Sequence, residues 1–99
     1  MYIAIDGGGT KTEYLLLDKY FQVVDHYLGG CLNHDLLGNG WADVSLALKA
    51  SIDVLLERNG LTVSDIEAAA AGISGLDTAR DQQQADACFS SAGISRFLA

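Results

Sequence analysis

The chain has 99 residues, 49% of them hydrophobic, and its formal net charge is −7 at pH 7. This length suits one domain with a buried core and no more. The acidic balance argues against nucleic acid and anionic membrane as partners, since both carry negative charge. No apolar run is long enough to span a membrane, and the apolar start lacks the basic leader of a signal peptide. Cys31 and Cys88 fit no zinc spacing, and free thiols without a secretion signal indicate the cytoplasm.

The first pattern along the chain is a pair of short apolar segments joined by a glycine-rich turn. Residues 2–5 and 12–17 are rich in residues that suit a pleated surface, so the sequence predicts a β-hairpin. Consecutive glycines allow positive φ and let a ligand approach the backbone, and successive amides of such a turn form a concave anion site. Hydroxyl groups and one lysine would add donors and a positive charge suited to phosphate. The candidate phosphate-binding residues are Gly7, Gly8, Gly9, Thr10, Lys11 and Thr12.

Asp6 precedes these glycines at the end of the first predicted strand, where its carboxylate would repel a bare phosphate. The acid is explained if Mg²⁺ lies between carboxylate and phosphate, because Mg²⁺ takes one or two carboxylates together with phosphate oxygens and water. A tight turn that binds nothing is the alternative interpretation. Walker A and dinucleotide-binding loops both open a helix, whereas a strand follows here, and no Val-Ala-Ile-Lys strand follows as in protein kinases.

A third strand is predicted over residues 21–28, which completes an antiparallel meander. Gly29 and Gly30 then begin a long loop over residues 31–40 that contains Asn33, His34 and Asp35. Its composition leaves two interpretations equally open, a flexible connector and a binding loop.

The remaining elements alternate between helix and strand. Trp41–Arg58 has a clear apolar stripe and a stop signal at Asn59 and Gly60, so it predicts a helix. Residues 66–73 predict a buried strand, because Gly72 comes too soon for a normal helix. Asp77 is expected to cap a peripheral helix over residues 78–92, and residues 95–99 resemble the entry to another strand. The fold class is therefore α/β, with a meander followed by helix, strand and helix.

Three motifs in this order resemble a known family. The string from Ile5 to Glu13 resembles the first phosphate motif of N-acetylglucosamine kinases and BadF/BadG/BcrA/BcrD ATPases, which belong to the actin, hexokinase and Hsp70 superfamily. Residues 33–38 resemble the Asn-His loop of these kinases, and residues 72–77 their Ser-Gly turn. The resemblance implies a single truncated N-terminal lobe over residues 1–99, with a ribonuclease H-like (actin-like ATPase) fold that is incomplete at its C-terminal end.

The same resemblance implies an ATP-dependent amino-sugar kinase as the full-length parent, with ATP and Mg²⁺ as cofactors. It places residues 7–12 at the nucleotide phosphates and Asp6 at Mg²⁺ through water. Asn33, His34, Ser74 and Gly75 would then contact the sugar. No catalytic residue is expected within the chain, because the family's catalytic Asp follows the strand that begins near Phe97, beyond Ala99.

Two other functions remain open, the ATPase activator of a radical acyl-CoA dehydratase and a non-catalytic binding module. The activator holds an iron–sulfur cluster on cysteines between subunits, a pattern that Cys31 and Cys88 do not show. We expect the fragment to be inactive alone and to form a homo-oligomer, since the strand over residues 66–73 would expose an unpaired edge or an apolar patch.

Overall fold

Alternating apolar residues build the strands of one mixed sheet, in a computed structural model that describes residues 1–8, 10–73, 78–94 and 96–98. Within these described residues the sheet has five strands, in the order β3-β2-β1-β4-β5. The antiparallel pairs are β1 with β2 and β2 with β3, and the parallel pairs are β1 with β4 and β4 with β5. The elements are β1 (Tyr2–Gly7), β2 (Thr12–Leu17), β3 (Val23–Gly29), α1 (Trp41–Arg58), a 3₁₀ turn (Val63–Asp65), β4 (Ala68–Ile73), α2 (Ala79–Ser91) and β5 (Phe97–Leu98). The predicted meander followed by helix, strand and helix is confirmed.

The core lies between one face of this sheet and the two helices. Ile3, Ile5 and Leu16 point from β1 and β2 into this core, and Tyr14 is fully buried beside them. The stripe of α1 packs against them from the other side, because Val44, Leu48, Ile52 and Leu55 recur every three or four residues and all are buried. Within the described residues, neither helix combines the length and apolarity needed to cross a bilayer.

Two strand boundaries differ from the prediction, each because a local turn takes the first residues. β3 begins at Val23 rather than at residue 21, since the Asp18 carboxylate accepts hydrogen bonds from the amides of Tyr20 and Gln22 at 2.8 and 3.1 Å. β4 begins at Ala68 rather than at residue 66, since Thr62 and Asp65 form a capping box around the 3₁₀ turn.

The start of α2 also differs from the prediction by one residue. Thr78, not Asp77, is its N-cap, because the Thr78 hydroxyl accepts from the Asp81 amide at 3.1 Å and the Asp81 carboxylate accepts from the Thr78 amide at 3.2 Å. Asp77 itself lies outside the described residues. The helix is less peripheral than expected, since Phe89 is fully buried in the core.

The edge of β4 is partly covered. β5 pairs with it in parallel at Ala69 and Ala70, two of the six residues of the strand. This short pairing reduces the exposed row of amides and carbonyls on which edge-to-edge association would depend.

Candidate functional site

The glycine-rich turn lies at the carboxyl end of β1, where residues 8–11 connect β1 to β2. The Gly8 amide donates to the Lys11 carbonyl at 3.0 Å, which closes the base of the turn. Thr10 and Lys11 are exposed. Together with Asp6, Glu13 and Leu28, these turn residues line an open cavity of about 240 Å³. One small space is therefore lined by a hydroxyl, an ammonium group and two carboxylates.

The backbone of the described glycines differs from the expectation. Gly7 is a buried strand residue that pairs with Thr12 and Ile73. Gly7 and Gly8 do not have positive φ, and Gly9 lies outside the described residues. A Cβ at Gly8 would lie 3.3 Å from the Lys11 carbonyl oxygen. The need for glycine at position 8 thus comes from this close approach and not from a left-handed conformation.

The predicted role of Thr12 as a phosphate donor is untested, and the geometry of its side chain does not favour it. Its side chain is fully buried, and its hydroxyl donates to the Gly30 carbonyl at 2.6 Å. A hydroxyl has one proton to donate, so this hydrogen bond uses the donor that a phosphate would need. Thr12 instead connects the start of β2 to the loop that follows β3.

Asp6 lies on the face of the sheet that the helices leave uncovered. It is exposed, and its cross-strand neighbour on β2 is Glu13. Two adjacent carboxylates beside this cavity provide the hard oxygen ligands that Mg²⁺ prefers. No cluster of three or more His, Cys, Asp and Glu side chains that could hold a metal occurs among the described residues. A metal here would thus depend on ligand phosphates and water to complete its coordination.

The loop over residues 31–40 packs against the glycine-rich turn. The Leu32 amide donates to the Gly8 carbonyl at 3.4 Å, and the Leu32 side chain is fully buried. A Cβ at Gly7 would lie 3.5 Å from Leu32, an ordinary van der Waals contact, so the loop and the end of β1 are in contact at this point. The first segment of the loop is therefore fixed to the turn.

The side-chain oxygen of Asn33 accepts a hydrogen bond within the loop. Its Oδ1 accepts from the Asp35 amide at 2.9 Å, and its own carbonyl accepts from the Leu36 amide at 3.0 Å. This is an Asx-type turn, which leaves the Nδ2 amide as the group that a sugar hydroxyl could meet. The contact with a sugar stays a prediction.

His34 joins the loop to both helices. Its ring stacks on Trp41, the first residue of α1, with 4.4 Å between centroids and 15° between planes. Its Nε2 lies 3.4 Å from Asp81 in the first turn of α2, and its Nδ1 lies 3.5 Å from Asp35. Only 16% of the His34 side chain is exposed. The geometry favours a positioning role, and the predicted sugar contact of His34 is untested.

Three residues of this region were not predicted from the sequence to be site residues. Glu13 ends the segment that resembles the phosphate motif. The register of the predicted hairpin places it opposite Asp6, so the sequence could have identified it. Trp41 and Asp81 were interpreted as helix residues, and nothing in their spacing indicates that both meet His34. Ser74 and Gly75, the predicted Ser-Gly turn, lie outside the described residues.

Comparisons with known proteins agree with this geometry at the level of the fold. No protein-family model and no curated protein sequence matches the chain. Two solved structures of putative N-acetylglucosamine kinases do match it. The structure from Porphyromonas gingivalis covers 99% of the chain with a TM-score of 0.75 and 18% identity, and the structure from Chromobacterium violaceum covers 98% with a TM-score of 0.68 and 25% identity.

The chain shares the fold of about one third of the length of each of these two structures. It spans 33% of each of the two chains, so it lacks counterparts for most of their length. The resemblance to N-acetylglucosamine kinases that the three motifs predicted is thereby confirmed as a likeness of structure.

Proposed function

We propose that these 99 residues are the N-terminal, ribonuclease H-like (actin-like) lobe of an ATP-dependent amino-sugar kinase. The observation that supports this most is the packing of residues 31–40 on the glycine-rich turn through Leu32 and Gly8. This packing lies at the carboxyl ends of the parallel strands β1 and β4, the edge at which open α/β sheets bind ligands. The turn predicted to bind the nucleotide phosphates and the loop predicted to bind the sugar are thus neighbours.

The residues divide into two groups in this proposal. Thr10 and Lys11 would meet the nucleotide phosphates, and Asp6 would hold Mg²⁺ through water. Bound Mg²⁺ would stabilise the negative charge that develops on the transferred phosphoryl group. Asn33 would orient the amino sugar through its Nδ2 amide, while His34 would hold the loop in place.

The chain alone is expected to be catalytically inactive. Nothing in it is assigned as the base that takes the proton from a sugar hydroxyl, and its two kinase neighbours are three times as long. A single lobe cannot enclose a substrate between two walls, so it neither excludes water nor orients two reactants. We propose weak phosphate binding at the turn as the activity of the isolated chain.

The cysteines disfavour the dehydratase activator as a second candidate. Cys88 is buried, its Sγ lies 3.8 Å from the Trp41 carbonyl, and burial raises the pKa of its thiol. An iron–sulfur cluster requires deprotonated thiolates, which this environment opposes. Both thiols are free, in keeping with a cytoplasmic location.

Titration of the ¹⁵N-labelled chain, followed by amide chemical shifts, tests the proposal. We expect the amides of Gly8, Thr10 and Lys11 to shift with ATP and Mg²⁺ at millimolar concentration, and less with ATP when the metal is absent. The amide of Asn33 should shift with N-acetylglucosamine instead. Lys11→Ala should weaken ATP binding about tenfold, since a charge-assisted contact contributes about 1.5–3 kcal/mol.

Lys49→Ala is the matched control, because Lys49 pairs with Asp53 on the outer surface of α1, away from the turn. It should leave the ATP titration unchanged. Shifts spread over the surface and equally reduced by both variants would indicate charge attraction only. Absence of any shift at the turn would contradict the phosphate site.

A further inference from the structure

His34 and Asp81 join two parts of the chain that are far apart in sequence. His34 lies in the loop over residues 31–40, and Asp81 lies in the first turn of α2, beyond α1 and β4. The His34 Nε2 atom and the Asp81 Oδ1 atom are 3.4 Å apart, and only 16% of each side chain is exposed. Water and salt screen such a sheltered pair less than a pair on the surface. The contact can therefore hold the loop against α2.

The two oxygens of the Asp81 carboxylate have different partners. Oδ2 accepts from the Thr78 amide at 3.2 Å, while the Asp81 amide donates to the Thr78 hydroxyl at 3.1 Å, which forms the capping box of α2. Oδ1 lies beside His34 instead. The same carboxylate thus caps the helix and contacts the loop, and the cap fixes the orientation in which it meets His34.

α2 can support the loop because its second half is fixed to the core. Phe89 is fully buried, Ala85 is buried beside it, and the Cys88 Sγ lies 3.8 Å from the Trp41 carbonyl at the start of α1. The first turn of the helix is continuous with this packed segment. Asp81 is therefore presented to His34 from an element whose position does not depend on the loop.

The turns within the loop do not themselves attach it to the helices. The amides of Asp35 and Leu36 both donate to Asn33, so these hydrogen bonds join loop residues to one another. Asp35 also lies 3.5 Å from the His34 Nδ1 atom, but it belongs to the loop and moves with it. Asp81 acts from outside the loop. It can therefore hold the His34 ring, and with it the adjacent Asn33, against the rest of the fold.

We propose that Asp81 is a positioning residue for the amino-sugar site, which holds the loop through His34 in the shape that presents Asn33 to the ligand. The inference rests on the proposed function for the identity of the ligand. Asp81 itself does not touch the sugar. It acts through the His34 ring, which Trp41 supports on one face by stacking and Asp81 meets at the Nε2 edge.

Two measurements on the ¹⁵N-labelled chain separate the loop from the ligand. Titration with N-acetylglucosamine, followed at the Asn33 amide, gives the sugar affinity. Amide exchange of Asp35 and Leu36 without sugar reports the loop itself, since both amides donate to Asn33. A role of Asp81 in positioning the site should change both quantities, whereas a role in helix stability alone should change neither.

Asp81→Asn tests the shared carboxylate with little change in side-chain size. An amide has one oxygen, so it can accept from the Thr78 amide or face His34, but not both. We expect faster exchange of the loop amides. The sugar affinity should fall about threefold to tenfold, because it scales with the fraction of chains whose loop has the binding shape.

Two control variants separate this role from helix capping and from net charge. Thr78→Ala removes the capping hydroxyl but keeps the backbone amide of residue 78 and the Asp81 carboxylate. It should speed exchange of the Asp81 amide and change the loop and the sugar affinity less than Asp81→Asn does. Asp86→Asn makes the same charge change at an exposed position of the same helix, and it should alter neither the loop nor the affinity.

A double-mutant cycle with His34→Ala tests whether Asp81 acts through the imidazole. In the His34→Ala background, Asp81→Asn should have no further effect on loop exchange or on sugar affinity, because the group it holds is already gone. Full effects of Asp81→Asn in both backgrounds would overturn the inference. Unchanged loop exchange in Asp81→Asn would also overturn it, as would equal effects of Asp81→Asn and Thr78→Ala.

The same data distinguish failure of this inference from failure of the proposed function. A parent chain whose Asn33 amide does not respond to the sugar would contradict the proposed sugar site, and with it the ligand inferred here. Faster loop exchange that is confined to Asp81→Asn and lost in the His34→Ala background would still support the positioning contact. A normal sugar response with unchanged loop exchange in Asp81→Asn would overturn the inference and leave the proposed function intact.

Discussion

The two faces of the sheet are built from the same strands but have opposite environments. On β2, Tyr14 and Leu16 are fully buried against the helices, whereas Leu15 between them is only half-buried on the face of the sheet opposite the helices, which we call the open sheet face. The covered face is fixed by packing, since its residues fill a core to which both helices contribute. The open face has the same strand register but no layer over it. Strand periodicity therefore predicts which residues share a face, and only the packed layer decides which face is the core.

Replacing two adjacent residues of β2, one on each face, tests this difference between the faces and has the largest expected effect on the free energy of unfolding. Leu16→Ala removes a fully buried side chain and should lower the free energy of unfolding by about 2–5 kcal/mol. Leu15→Ala should cost less than about 1 kcal/mol, because the position already contacts solvent. Urea unfolding of both variants at one low protein concentration measures the two costs. Equal costs would mean that the open face is packed in the monomer.

Two adjacent glycines at the end of β3 give the next comparison. A Cβ at Gly29 would lie 2.9 Å from the Ser51 hydroxyl oxygen and 3.0 Å from the Tyr14 ring, whereas nothing lies within 4 Å at Gly30. Gly29→Ala should therefore destabilise by about 1–3 kcal/mol through overpacking. Gly30→Ala should change the free energy of unfolding by less than about 1 kcal/mol in either direction. Thermal unfolding of both variants measures the difference, and a larger loss at Gly30 would contradict the packing described for β3.

Much of the fold was predictable because local patterns agree with the tertiary structure. α1 has the predicted bounds, since its apolar stripe is long and Gly60 follows with φ of 65°. β3, β4 and α2 began one or two residues away from the prediction. Local turns delay β3 and β4, and at α2 two adjacent residues, Asp77 and Thr78, could each have formed the cap. Sequence alone could not choose between two residues whose side-chain oxygens can both accept a hydrogen bond at an N-cap.

The candidate site was less predictable, because its contacts join distant segments. The burial of Thr12 depends on the Gly30 carbonyl, 18 residues away, and the environment of His34 depends on Trp41 and Asp81. A motif indicates which residue types lie close together. A single sequence does not say that the Thr12 hydroxyl is buried while Thr10 is exposed. The turn itself was predictable because consecutive glycines join two segments whose residues favour strands.

His34 offers a comparison with the second histidine of the chain. His34→Ala removes a ring stacked on Trp41 and should cost about 1 kcal/mol, with faster amide exchange at Leu32 and Leu36. His26→Ala is the control, since its side chain is 44% exposed on the open sheet face. It should leave exchange in the loop unchanged. Unaltered protection of both loop amides in His34→Ala would contradict the positioning role.

The smallest expected effect is on the pH dependence of stability. It comes from Asp25 on β3, whose carboxylate contacts the end of α1. Arg58 donates to its carboxylate from Nη2 at 2.6 Å and from Nε at 3.2 Å, and the Asn59 side chain donates at 2.9 Å. These hydrogen bonds, those from Arg58 first, lower the pKa of Asp25 from 3.8 to about 2. Because the pKa is lower in the folded state, the stabilisation is present above about pH 4 and is lost as the pH falls toward 2.

Asp25→Asn removes this titration while it keeps the size of the side chain. The variant should be less stable than the parent at pH 7, and the difference between them should shrink as the pH falls from 4 to 2. Urea unfolding at intervals across that range measures it. Asp53→Asn is the control, since its pair with Lys49 at 2.7 Å is an exposed contact within α1. A difference that stays constant down to pH 2 would show that the Arg58 contact does not hold Asp25 ionised.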